Sequence, residues 1–180
     1  MALVKLEDGS SRELAELCRD TGIALVFLRH FGCVFCRYQV AQLRSAADLP
    51  IYFVCMESAE EAEVFKTEHR SPHHFISDPD RKLYEAYGVR RGTARQLFSL
   101  RTIGRGIKAT LAGSFQGKPT SDPMQLGATI ILNQSGEVAW SRYAKDAAEI
   151  ITEKELREQL QRLGKGESAV AGENDPSSSE

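Results

Sequence analysis

The stretch ALVFLRHFGCVFCRYQVAQLR, residues 24–44, places two of the four cysteines, Cys33 and Cys36, two residues apart. Ile23 to Leu28 is a nearly unbroken apolar run, the pattern of a strand covered on both faces. After the cysteines, Phe35, Val40 and Leu43 sit among Arg37, Gln39, Gln42 and Arg44, which predicts an amphipathic helix. The pair therefore falls in a strand-to-helix turn, with Cys33 directly after the strand and Cys36 in the first helical turn. Free N–H groups and the positive end of the helix dipole stabilise a thiolate at such a place. This favours Cys33 as nucleophile and Cys36, less exposed, as the thiol that resolves a mixed disulfide. Gly32 leaves room for a substrate or a partner's backbone near the sulfur. Arg29 and His30 offer positive charge or proton-transfer capacity nearby.

Two other readings of the pair stand beside the redox one: half of a metal site, or two small apolar residues in a core. A structural zinc site usually takes four ligands, and the chain has no second C-x-x-C. The only histidine cluster is HRSPHH, residues 69–74, where Pro72 keeps His69 and His73 from sharing a helical face. The dithiol reading is favoured, because C-x-x-C in the turn of an α/β chain is the thioredoxin type of redox pattern. It requires no cofactor and no metal.

Working outward, SSRELAELCRDTG opens with serines that can cap a helix, carries Leu14, Leu17 and Cys18 at helical spacing and stops at Gly22. IYFVCM, residues 51–56, predicts a second strand, and Ser58 followed by AEEAEVFKTEH predicts a capped helix. HFIS is a short third strand, and DPDRKLYEAYG runs from turn chemistry into a helix. In ATIILNQSGEVAWSRY two strands flank a hairpin turn, with Val138, Trp140 and Arg142 alternating along the second. TEKELREQLQRLG has a Thr cap, Leu156, Leu160 and Leu163 on one face, and a Gly stop. The alternation predicts an α/β fold around a largely parallel sheet, in one domain spanning residues 1–163. Residues 90–120 read as an insertion, helical over 94–111, with Arg90, Arg91, Arg95, Arg101, Arg105, Lys108 and Lys118 and no acidic residue. Residues 164–180 have almost no large apolar side chain and read as a disordered tail.

With 23 basic against 25 acidic residues, nothing global points to nucleic acid or a membrane surface. No apolar run reaches the length of about 18 residues that a spanning helix needs. MALVKLEDGS lacks the features of a secretory signal, so the cysteines are expected in a reducing, cytoplasmic setting. Cys55 ends the second strand on the edge expected to carry Cys33. It is a third redox cysteine or, more in keeping with its apolar context, a buried one. Cys18 reads as core and Trp140 as core or sheet surface. The basic stretch reads as a solvated face before it reads as an anion-attracting one. Thr129 is a candidate hydrogen-bonding partner of the pair if the late strand runs beside it.

The chain resembles the peroxiredoxin-like 2 family, a thioredoxin-fold branch near the alkyl hydroperoxide reductase and thiol-specific antioxidant proteins. FLRHFGCVFCR, SDPDRKLYEAYGV and QLGATIILNQSGEVAWSRYAKDAAEIITEKEL carry the resemblance, in the family's order, over about residues 23–163. It implies a thioredoxin-like (peroxiredoxin-like) α/β fold, a central mixed sheet flanked by helices, with Cys33 and Cys36 as the redox pair. It also implies reduction of a peroxide, a related peroxy bond or a disulfide, with electrons from a thioredoxin-type or other dithiol donor. Some members are similar to prostamide/prostaglandin F synthase. Supporting positions in the matched segments are Arg29, His30, Gly32, Arg37 and Thr129. His30 stands where typical peroxiredoxins have a Thr, and Gly127-Ala128 where they have an Arg. Val34-Phe35 replace the Gly-Pro of thioredoxins, and a trans loop at 127–129 replaces their cis-proline. A reading of another class is a redox-sensing or protein-binding module that does not turn over.

Overall fold

The apolar run at 23–27 becomes an inner strand of a seven-stranded sheet in the computed structural model, which describes residues 2–93, 97, 110–111 and 113–164. In chain order the elements are β1 (Leu3–Leu6), β2 (Ser11–Glu13), α1 (Leu14–Cys18), β3 (Ile23–Phe27), α2 (Val34–Leu43) and β4 (Ile51–Cys55). There follow α3 (Ala59–Glu68), β5 (His74–Ser77), α4 (Lys82–Ala86), β6 (Ala128–Leu132), β7 (Val138–Tyr143) and α5 (Glu153–Gly164). The strand order is β2-β1-β5-β4-β3-β6-β7. Only β3–β4 and β4–β5 are parallel; the remaining pairs are antiparallel. The largely parallel sheet expected from alternation is thus a mixed one, as the resemblance implied.

The amino terminus departs from its sequence reading. Ser11–Glu13 pair with β1 as a strand, and α1 spans only five residues, with no side-chain cap. The turn that sets this up is Asp8-Gly9: Gly9 takes φ +82° and the Asp8 carboxylate accepts from Ser10 N at 2.8 Å. A left-handed residue of this kind is nearly free for glycine and allows the chain to fold back on β1. The helix expected over 94–111 lies almost wholly outside the described residues, as does the tail beyond Gly164.

Other local signals hold. Ser58 and Glu61 make a reciprocal capping box at α3, and Thr152 and Glu155 exchange the same bonds at α5. At the β6–β7 turn, Asn133 Oδ1 accepts from both Ser135 N and Glu137 N, and Gly136 takes φ +79°. Asp78 receives the N–H groups of Lys82, Leu83 and Tyr84, which starts α4.

Alternate side chains of β3, with Leu28 just after it, feed two cores. Ala24, Val26 and Leu28 pack with both Cys33 and Cys36, with Val40 and Leu43 of α2, and with Leu156 of α5. Ile23, Leu25 and Phe27 pack on the other face with Cys18 and Tyr84. Tyr84 is fully buried, and its hydroxyl donates to the carbonyls of Leu28 and Val54, stitching the ends of β3 and β4 together. That stitch lies one residue before Arg29. Tyr84→Phe leaves the buried Leu28 carbonyl short of a donor, while Val54 keeps that of Leu28 N, and is expected to lower stability by about 1–2 kcal/mol in urea unfolding.

Candidate active site

The strand-to-helix turn is built as the sequence suggests. Cys33 is extended (φ −74°, ψ 124°) and is the N-cap of α2, its N–H bonded to the His30 carbonyl at 3.0 Å. The Cys33 carbonyl accepts from Arg37 N at 3.1 Å. This sets the Cys33 sulfur beside the N–H groups of Phe35 and Cys36 in the first turn. All four cysteines are thiols, and Cys33 and Cys36 lie near each other in one core.

Arg29 is the residue that organises the pair. Its Nη1 donates to Cys33 Sγ at 3.1 Å, and its backbone N–H donates to Cys36 Sγ at 3.2 Å. Its other guanidinium nitrogens are held by the carbonyls of Gln125 and Pro123, both at 2.8 Å. A donor fixed on two sides keeps its charge on the sulfur without losing side-chain freedom again on each encounter.

These contacts separate the two thiols. Hydrogen bonding from Cys36, the Arg29 charge and the N–H groups of Cys36 and Phe35 together outweigh burial and bring Cys33 down to about 6. Burial, together with its donation to Cys33, pushes Cys36 well above the ordinary thiol range. At neutral pH the stable arrangement is a Cys33 thiolate accepting from a Cys36 thiol. Arg29→Gln removes the nearest charge, so the midpoint of Cys33 reactivity is expected to move up by about one pH unit or more. Alkylation rates measured across pH 5–9 check this.

The expected difference in exposure does not hold: Cys33 is 1% exposed and Cys36 4%. The reason is a strap, residues 114–126, crossing the turn. Gly117 N donates to the Gly32 carbonyl at 2.7 Å, and Gln116 Oε1 accepts from Val34 N at 3.1 Å. Gly32 does allow close approach, but the chain's own backbone takes the space. A Cβ there would lie 1.8 Å from the Lys118 carbonyl oxygen.

His30 is also reassigned. It is 3% exposed, its Nδ1 has no partner among the described residues, and burial beside Arg29 and Arg37 lowers its pKa to about 4. It is neutral at physiological pH and supplies no positive charge. Arg37 does not reach a sulfur in any hydrogen bond among the described residues; its Nε donates to the Phe31 carbonyl at 2.8 Å and so braces the turn. Thr129 pairs with Val26 and Arg142 in the sheet and lines a small separate cavity with Gln39 and Arg142. Cys55 is fully buried in the same core as the pair, and its thiol donates to the Ile76 carbonyl at 3.4 Å. From the basic stretch, Arg91 is ion-paired with Asp122 at 2.7 Å and Lys118 is exposed.

Residues with no sequence signal complete the site. Glu57 Oε1 accepts from Phe31 N at 3.1 Å, from Ser121 Oγ at 2.9 Å and from Thr120 Oγ1. Gln125 is fully buried and its amide donates to the carbonyls of Val89, Arg90 and Leu126, which fixes the carbonyl that holds Arg29.

The family model described as AhpC/TSA antioxidant enzyme matches residues 37–146, more than half of the chain. The chain belongs to the AhpC/TSA family. The match begins one residue past Cys36, so the cysteine pair itself lies just outside it. Among curated AhpC/TSA-like relatives, the prostamide/prostaglandin F synthase of Salmo salar is 28% identical over 81% of this chain and 76% of its own. Peroxiredoxin-like 2C of Bos taurus is 27% identical over 73% of this chain, which aligns with 65% of that protein's length. The bacterioferritin comigratory protein of Xanthomonas campestris shares the fold, with a TM-score of 0.62, 13% identity and 92% coverage of each chain. Within this AhpC/TSA frame, the positive charge on the nucleophile candidate comes from Arg29 in the turn itself, not from the 127–128 loop. No described helix is long and apolar enough to cross a membrane.

Proposed function

We propose that the chain is a thiol-dependent oxidoreductase that reduces a peroxide, an endoperoxide or a disulfide through Cys33 and Cys36. The observation that carries this reading is the Arg29 guanidinium held 3.1 Å from the Cys33 sulfur, with Cys36 poised to donate to the same atom. The Cys33 thiolate attacks one peroxy oxygen; the O–O bond breaks, and the other oxygen takes a proton. With a hydroperoxide that oxygen leaves as water or an alcohol and Cys33 becomes a sulfenic acid; with an endoperoxide both oxygens stay on one molecule and Cys33 becomes its sulfenate ester. The Cys36 sulfur displaces water from the acid, or the alcohol from the ester, and closes a disulfide, so the two sulfurs together have given two electrons. An external dithiol then exchanges with the disulfide and restores both thiols. Arg29 stabilises the thiolate at the start and balances the charge near the leaving oxygen. With a protein disulfide the first attack is on sulfur and gives a mixed disulfide, which Cys36 resolves.

The family membership supports the peroxide branch of this reading, and the curated relatives support the endoperoxide as one candidate substrate. The burial of both sulfurs favours a second reading, a redox-sensing module whose disulfide moves the strap without turnover. Turnover separates the two. Reduced protein is supplied with hydrogen peroxide, a lipid hydroperoxide or a protein disulfide, and NADPH consumption is followed with thioredoxin and its reductase. Sustained consumption with any of the three supports the enzyme; consumption that stops at one equivalent leaves the sensor.

A further inference from the structure

Phe31, two residues before Cys33, has its ring stacked on Phe65 of α3 at 4.0 Å. The two rings and Val64, which is 58% exposed, form the apolar floor of an open groove of about 360 Å³. Its walls carry four glutamates, Glu57, Glu60, Glu61 and Glu68, against one guanidinium, that of Arg37. Glu60, Glu61 and Glu68 are exposed, whereas Glu57 is 3% exposed. Its Oε2 has no hydrogen-bond partner among the described residues, although a buried carboxyl oxygen ordinarily has one. The apolar floor asks for a large hydrophobic side chain, and the acidic walls, with that unsatisfied oxygen, ask for a cation.

The groove and the cysteine pair share two residues. Phe31 belongs to the redox turn, and Thr120 belongs to the strap, lines the groove and donates to the other oxygen of Glu57. Ser121 donates to that same oxygen. Glu57 is therefore the latch between the turn and the strap. A reductant must reach sulfurs that are now buried beneath the strap.

We propose that this groove docks a segment of the reducing protein that carries a lysine or arginine beside a large apolar side chain, and that docking draws Glu57 from Thr120 and Ser121 and frees the strap. The proposal rests on the redox reading of Cys33 and Cys36 and adds where the electron donor engages and how it gains access. Charge complementarity selects a basic partner segment over an acidic one, and added salt weakens the contact because three of the four glutamates are exposed.

The test uses the full reduced chain and a labelled peptide, Gly-Ser-Phe-Lys-Phe-Ser-Gly with blocked ends, with a control in which glutamate replaces the lysine. Binding is read by fluorescence anisotropy, and strap opening by the rate at which iodoacetamide modifies Cys33. The lysine peptide is expected to bind and to raise that rate at least about fivefold, the lower end of ordinary coupling between sites. The glutamate control is expected to do neither. Val64→Lys and Glu68→Lys, both at exposed positions, are expected to remove the effect; Glu57→Gln is expected to loosen the strap without peptide. The proposal is overturned if the lysine peptide fails to bind, if the control or the Val64→Lys protein behaves like it, or if binding leaves the Cys33 rate unchanged. Failure of the redox reading shows separately, as equal modification of Cys33 and Cys36 whatever the peptide does.

Discussion

Cys33→Ser is expected to bring peroxide-dependent NADPH consumption down to the uncatalysed background, a loss of at least about a thousandfold, as removal of a nucleophile generally does. A hydroxyl in place of the sulfur cannot form the thiolate that the Arg29 guanidinium and the Cys36 thiol stabilise. Cys36→Ser separates the two roles. Its Cys33 still attacks, but the sulfenic acid has no neighbouring thiol to close on, so about one equivalent of peroxide is consumed and NADPH use stays at background. A dimedone adduct on Cys33, seen by mass spectrometry, identifies the stalled species. If Cys36→Ser turns over like the parent, resolution occurs through another thiol, for which Cys55, buried in the same core, is the candidate.

Gly32→Ala carries the second large effect, and here stability and reactivity move in opposite directions. The added methyl would lie 1.8 Å from the Lys118 carbonyl oxygen and 2.6 Å from its carbonyl carbon, so backbone must shift. The strap then loses its contact at Gly117 and Lys118. The expected cost is about 1–3 kcal/mol, typical of overpacking, and a drop in Tm of roughly 3–10 °C. The same displacement uncovers the sulfurs. Each 1.4 kcal/mol of closure lost raises the open population about tenfold, so Cys33 is expected to alkylate faster by about that factor. An unchanged alkylation rate in a folded Gly32→Ala protein would show that the strap does not limit access.

Features written within a few residues were legible in the sequence. The C-x-x-C turn, the capping residues Ser58 and Thr152 and the Asn133 hairpin each bond to groups within five positions of themselves. Periodicity likewise located the buried strands, because every residue of β3 and β6 is covered. The amino-terminal hairpin was missed because Ser11 is an equally good helix cap, and only pairing with β1 decides for a strand. The strap was beyond reach for a related reason. Arg29 meets the Gln125 carbonyl across 96 positions, and Glu57 meets Thr120 across 63. No local pattern encodes such contacts. The basic composition of 90–118 drew attention to its charges, while the work at the cysteines falls to carbonyls, an amide and two hydroxyls just after it. At Gly32 the group that approaches is the strap's own backbone at Lys118, which only the fold identifies.

The account turns on Cys33 being held as a thiolate beside a protonated Cys36. Alkylation of the reduced, native protein by iodoacetamide across pH 4.5–9.5, with each cysteine quantified separately by mass spectrometry, reads this directly. Cys33 is expected to react with a midpoint near pH 6, well below the value of about 8.5 for a free thiol, while Cys36 stays unmodified over the range. A Cys33 midpoint at or above 8.5, or Cys36 reacting first, would contradict it.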